Sequence, residues 1–240
     1  MLHAELLDDL GRRIAWGELP PGTVLTTSAL RERHEVSRTM VREAVRVLES
    51  MRMVASRRRV GLTVQPREEW NALDLRLIGW NLAGPMRDEQ LAGLMELRRA
   101  IEPVAARLAA ARATAEERER LAELAERLRG LGERGLGESG AYLDTDIELH
   151  RLVLRASGNR MFAGVLGDVI GEVLAGRTRL GLSPTHPRRG ALDLHDLAAR
   201  AIADGDGDAA EDAIRAIVEE ARDASLAPST GTTASDDDGR

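Results

Sequence analysis

From Asp88 onward the chain reads as one amphipathic helix after another, with connections short enough to make successive helices antiparallel neighbours. The periodicity predicts helices over about 88–111, 114–130, 139–157, 160–181, 190–204 and 207–224. The segments GLGERGLGESG, SGN, SPTHPRRG and DGDGD interrupt them, being too rich in Gly and Pro to continue a helix. Six such helices predict an all-α antiparallel bundle over 88–224. Aromatic residues make up 2% of the chain, so Leu, Ala, Val and Ile must build its core. The polar, acidic end, APSTGTTASDDDGR, predicts a disordered tail over 225–240.

The first 66 residues follow a different plan. Residues 2–16 place Leu6, Leu7, Leu10 and Ile14 near helical spacing, and GELPPG stops that helix. A second helix is expected over about 27–33. Ser37 is a good N-cap for a third over about 38–51, which buries Met40, Val41, Ala44, Val45 and Leu48 and projects Arg38, Arg42 and Arg46. Two β-like runs follow, Met53–Ser56 and Val60–Gln65, joined by three Arg. Helix, turn, helix and hairpin predict a winged helix-turn-helix over 1–66, the hairpin being the wing. Pro66 ends the unit. REEWNALDLRLIGWNLAG, with Trp70 and Trp80, reads as a linker helix within 67–87. The expected fold is mainly α: a winged helix-turn-helix with a small β-hairpin, then the all-α bundle.

The formal net charge of −6 hides an uneven distribution. Between Val36 and Val60 seven Arg face only Glu43 and Glu49. A recognition helix needs its N-terminal end at the base edges and cations for phosphate. Arg38 is suited to a bidentate contact with guanine, and Thr39 to a phosphate or a thymine methyl. Arg42 lies one turn on from Arg38, on the same face. The Arg57–Arg59 cluster, with Arg58 at its centre, sits where a wing meets phosphate or the minor groove. The competing reading is an exposed Arg-rich helix in a chain whose cationic side chains, His apart, are all Arg. The expected partner is double-stranded DNA.

There is no Cys, which excludes disulfides and thiolate metal sites. No apolar run approaches the roughly 20 residues that span a bilayer, and MLHAELLDDLGRR has no apolar signal core. A cytoplasmic protein without a membrane partner is expected.

Asp146 and His150 are four apart on an expected helix, and His195 opens a later one. A carboxylate with imidazoles is a reasonable set for Zn²⁺, Ni²⁺ or Mn²⁺; an ordinary surface pair is the plainer alternative. A helical Asp/His metalloenzyme would use the same residues. It would leave the first 65 residues unexplained, and no paired general acid and base is visible, so no enzymatic activity is expected. His3, His34 and His186 read as ordinary surface residues.

GELPPGTVL, then VSRTMVREAVRVLESMRMV, then a hairpin ending in GLTV resemble the GntR family of bacterial regulators. ELRRAIEPVAARLAAARAT, DIELHRLVLRASGN and HDLAARAIADGDGDAAEDAI resemble its FadR subfamily, in the version with an all-helical FCD effector domain. With RxxWNxLDxRLIGW they are most similar to galactonate-type, sugar-acid-responsive repressors. The resemblance covers about residues 5–222. It implies a homodimer on a palindromic operator, with DNA contacts from Arg38, Thr39, Arg42 and the wing Gly61. It implies a small carboxylate effector, met by Arg98, and a divalent metal held by Asp146, His150 and His195. Arg98 has an alternative reading as a surface ion pair with Glu102. Asn159, in SGN, is a further candidate for the pocket or simply a turn residue. The implied function is a repressor of a sugar-acid (aldonate-type) catabolic operon, or the same class of regulator answering another organic acid.

Two departures stand out. LTTSAL is a residue shorter than the family's LPxExxL stretch and lacks its Arg, which shifts the expected DNA contact onto Arg38, Arg42 and the wing. Ile217 stands where the family's last metal-binding His is expected. Either three protein ligands hold the metal, with water or effector in the open positions, or the site is empty.

Overall fold

The computed structural model describes residues 2–57 and 60–226. The wing residue Arg58, the side chain of His3 and residues 227–240 of the expected tail lie outside that range.

Helix α1 (Leu2–Ala15) buries Leu6, Leu7, Leu10 and Ile14 along one face, as their spacing requires. Thr26 caps α2 (Thr27–His34), and Glu35, left-handed at φ 51°, ends it. Ser37 caps α3 (Arg38–Ser50) by accepting from Met40 N at 3.3 Å. Val41, Ala44, Val45 and Leu48 of α3 are buried, while Met40 is half-buried.

The wing is larger than the expected hairpin. Strands β2 (Val54–Arg57) and β3 (Gly61–Val64) pair antiparallel, with Val54 opposite Val64. A third strand, β1 (Val24–Leu25), pairs antiparallel with β3 and gives the order β1-β3-β2. Two residues carry no periodicity of their own, and β1 is a strand only because β3 offers it an edge.

The linker also departs from expectation. Arg67–Glu69 forms a single 3₁₀ turn, and helix α4 is confined to Leu75–Leu82. Asp74 accepts from Arg76 N at 2.9 Å, so it starts a helix rather than continuing one. Helix α4 has two buried faces. Leu77 and Trp80 belong to the core of the winged unit; Ile78 and Leu82 pack with Leu91, Leu94, Met95, Val169 and Val173 of the bundle.

The bundle comprises α5 (Arg87–Arg112), α6 (Ala115–Glu133), α7 (Gly140–Ala156), α8 (Gly167–Arg179), α9 (Arg189–Asp204) and α10 (Gly207–Leu226). Thr114 and Glu117 form a reciprocal capping box at the start of α6. Gly205, at φ 77°, ends α9. The helix expected over 160–181 is broken by a π-turn over Phe162–Leu166, where Gly164 (φ −79°, ψ −114°) leaves helical geometry. The core consists of small aliphatic side chains, among them Ala106, Ala109, Leu124, Leu128, Leu152 and Ile214. Among the described residues, no helix is long and apolar enough to cross a membrane.

Candidate effector site and DNA-binding face

On the winged unit, Arg38, Thr39 and Arg42 are exposed together on the outer face of α3. Arg46 is tied to Glu43 at 2.6 Å, whereas Arg38 and Arg42 form no ion pair among the described residues. Their charge is therefore available to an anionic partner. Ser56 N donates to Glu49 Oε1 at 3.1 Å, fastening the wing to α3. Gly61 has φ +117°, and a Cβ there would lie 2.7 Å from Leu25 O. Only glycine fits between the strands, so its place in the wing is explained by backbone geometry before any contact with DNA.

In the bundle, one cavity of about 780 Å³ is lined by Arg98 of α5, Asp146 and His150 of α7, Arg177 of α8, His195 of α9 and Ile217 of α10. His150 Nε2 lies 3.4 Å and His195 Nε2 3.5 Å from Asp146 Oδ1. One donor atom from each of the three residues falls within 4.8 Å of the others. The rings of His150 and His195 meet edge to face, centroids 6.0 Å apart.

The far side of each ring is anchored. His195 Nδ1 is 2.7 Å from Ala191 O, so it must donate there and leave a lone pair on Nε2. His150 Nδ1 is 2.6 Å from Glu102 Oε2, close enough for an ion pair though off the line of a hydrogen bond. Three acceptor positions thus converge, and Asp146 Oδ1 and His195 Nε2 are buried with no hydrogen-bond partner among the described residues. Such a cluster needs a proton or a cation between its members. The residues fit a divalent metal: oxygen and imidazole donors, each imidazole held from behind by a carboxylate or carbonyl. Ile217 offers no donor and faces the same cavity, leaving three protein ligands.

The charges are strongly coupled. Burial works against ionisation of Glu102, but Arg98 and His150 outweigh it and bring its carboxyl down to about 2. Burial likewise opposes charge on His150, and Glu102 with Asp146 overcomes it, pushing the imidazole up to about 9. Asp146, also penalised by burial, is held well below the usual carboxylate range by the two histidines.

Arg98 does pair with Glu102, yet the pair is wholly buried rather than on the surface. Arg98 Nε and Nη2 both reach Glu102, and Nη2 lies 3.5 Å from His150 Nε2. Nη1 is buried without a partner among the described residues. Asn159 is not part of the cavity lining: its side chain accepts from Met161 N at 3.0 Å and shapes the turn before the π segment. His186, expected to be an ordinary surface residue, is exposed but lines the cavity, and His34 is half-buried, 3.7 Å from Asp9. Sequence reasoning missed Glu102 as a site residue, although its i+4 spacing from Arg98 was visible. It also missed Arg177, for which no spacing signal exists, and the cavity-lining Tyr142, although its i−4 spacing from Asp146 on α7 was visible.

Residues 2–64 match the family described as bacterial regulatory proteins, gntR family, and residues 93–220 match the FCD domain. This chain belongs to the gntR family. It is a DNA-binding transcription regulator with an FCD domain. This gntR-family regulator is 34% identical over 217 residues to the uncharacterized HTH-type transcriptional regulator YieP of Escherichia coli K12, covering 89% of this chain and 90% of that one. It is 31% identical over 207 residues to the galactonate operon transcriptional repressor of the same organism, covering 85% and 88%. Among solved structures, the Listeria monocytogenes regulator Lar shares the fold with a TM-score of 0.63 at 16% identity, over 94% of this chain and 96% of that one. The families and relatives are transcription regulators, which sets the metalloenzyme reading aside.

Proposed function

We propose that this gntR-family protein is a cytoplasmic repressor of a sugar-acid catabolic operon and that a carboxylate of the aldonate type relieves repression. The observation that carries this reading is the convergence, in one cavity, of Arg98 with an unpartnered Nη1 and the Asp146–His150–His195 cluster. A guanidinium is a planar fork matched to a carboxylate. A divalent metal bound by the three cluster residues would supply a second, Lewis-acidic contact for the same carboxylate and an adjacent hydroxyl. The 31% identity to a galactonate operon repressor favours an aldonate over other organic acids.

Arg98 serves here as an orienting group. Glu102 occupies two of its nitrogens and fixes the plane of the guanidinium, so that Nη1 is the donor left for a ligand. His150 and His195 aim their Nε2 atoms at Asp146, and Ile217 keeps that side of the cavity apolar.

On DNA, Arg38 reads a base edge, Thr39 and Arg42 position the helix, and Arg58 and Gly61 belong to the wing contact. A homodimer would place two such heads on a palindromic operator. Effector control requires only that the ligand bind the non-DNA-binding arrangement better. A hundredfold preference supplies about 2.7 kcal/mol, enough to empty many operators. The test is a thermal-shift screen of a carboxylate panel with and without chelator. Galactonate or a related acid is expected to raise the melting temperature, and chelator to remove the shift. No shift with any carboxylate and no effect of chelator would contradict the reading.

A further inference from the structure

The cavity contains a second guanidinium that the metal cluster and Arg98 leave unused. Arg177, on α8, is half-buried, and its Nε donates to Ser225 Oγ at 2.9 Å. Its two terminal nitrogens make no hydrogen bond, and it forms no ion pair, among the described residues. Glu220 and Asp223 line the same cavity but do not pair with it. Elsewhere the chain spends its acids freely: Arg107 holds Asp208 and Glu211, Arg120 holds Glu123 and Glu148, and Arg129 holds Asp193 and Asp196. Arg177 thus faces the cavity with no carboxylate paired to it among the described residues.

Withdrawing a cation from water is costly unless a counter-charge is supplied. Arg177 bears part of that cost: burial, and then the neighbouring charge of Arg98, bring its pKa down to about 10, and Asp146 and Glu220 offset them only in part. Arg98 is neutralised by Glu102, so a ligand carboxylate that engages its remaining Nη1 does not discharge Arg177. A ligand with one acid group would leave Arg177 as it is. A ligand with an acid group at each end would meet both guanidiniums.

We infer that Arg177 receives a second anionic group of the effector, so that the preferred ligand is a sugar acid carrying a further carboxylate or phosphate. The inference rests on the carboxylate reading above and narrows its ligand class. Arg177 acts as a specificity residue, and Arg98 with the metal cluster provides the binding common to all acids of the class.

Calorimetric titration of the full chain with two matched pairs tests this: galactonate against galactarate, which adds a carboxylate, and gluconate against 6-phosphogluconate, which adds a phosphate. In the wild type, at least one added group is expected to tighten binding about tenfold or more, the scale of a charge-assisted hydrogen bond. Arg177→Gln should reduce that gain to under about twofold while changing monoacid binding less than about threefold. Arg177→Lys keeps the charge without the fork and should retain part of the gain, which keeps the test valid if the Gln variant does not fold. The pair that responds tells carboxylate from phosphate. The inference is overturned if neither added group tightens wild-type binding, or if the gain survives Arg177→Gln. If monoacids bind and the gain is missing, only the role of Arg177 falls. If none of the four acids binds, the carboxylate reading falls with it.

Discussion

Trp80 occupies the space that a side chain at Gly11 would need: a Cβ there would lie 2.1 Å from the indole ring. The contact joins α1 of the DNA-binding unit to α4. It is reinforced by Trp16 Nε1 donating to Trp80 O at 2.8 Å and Trp80 Nε1 donating to Asp8 Oδ1 at 3.3 Å. On its other side α4 packs on α8, where a Cβ at Gly176, next to Arg177, would lie 2.8 Å from Leu82 Cδ1. Helix α4 thus touches both the head and the helix that carries a cavity arginine.

Gly11→Ala should therefore destabilise the protein by about 1–3 kcal/mol, as overpacking does, despite the better helix propensity of Ala. Gly93→Ala is the matched control, a helical glycine with nothing within 4 Å of its added Cβ. It should be neutral or stabilise by up to about 1 kcal/mol. Denaturant unfolding of the two variants checks the contrast, and equal effects would contradict it.

Replacing Glu102 by Gln leaves Arg98 and His150 buried with only Asp146 as counter-charge. A loss of about 3–5 kcal/mol is expected, the range for breaking a buried pair from one side. The pH profile of the metal-free protein should carry the same signature. Glu102 lies at about 2 when folded against 4.5 in the unfolded chain, so its contribution is full above 4.5 and lost as pH falls towards 2. His150 lies at about 9 against 6.5, so its contribution is full below 6.5 and lost as pH rises towards 9. Stability measured in chelator should therefore be greatest between 4.5 and 6.5. In Glu102→Gln both limbs should flatten, because Glu102 is also the main support of the His150 charge.

A divalent metal taken up by the cluster would have to displace a proton from His150. Its apparent affinity should rise about tenfold per pH unit up to about 9 and then level off. Competition against a zinc-binding dye at several pH values measures the slope. Asp146→Asn or His195→Ala should weaken binding at every pH, and a pH-independent affinity would argue against His150 as a ligand.

Much of this was legible in the sequence, and the omissions have physical causes. Ser37 with the spacing of Val41, Ala44, Val45 and Leu48 fixes α3 locally, and the Gly- and Pro-rich breaks fix the bundle helices. Asp146 and His150 share a face because they are four residues apart, which no packing can change. Strand β1 was hidden because Val24 and Leu25 become a strand only beside β3. The stretch before α4 was hidden because Asp74 caps a helix at a position where periodicity would continue one. Glu102 and Arg177 were hidden because their burial is set by helices distant in sequence. The position of Asn159 in SGN left pocket and turn equally open, and its side chain accepts from Met161 N within the turn.

On DNA, Arg38→Ala should cost about 1–3 kcal/mol and relax base preference, as loss of a bidentate contact does. Arg42→Ala should weaken binding to all sequences alike and reduce the salt slope by about one. Fluorescence anisotropy at several salt concentrations separates the two effects, and unchanged binding in both variants would remove α3 as the recognition helix.

The most direct test of effector control joins the cavity to the DNA-binding face in one titration. Fluorescence anisotropy with DNA from the chain's own promoter region is measured with and without sugar acid, for the wild type and for Asp146→Asn. The wild type should bind tightly and release DNA as the acid is added. Asp146→Asn should bind DNA equally well but need far more acid for release. Release at the same acid concentration in both proteins, or DNA binding that no sugar acid alters, would contradict control through this cavity.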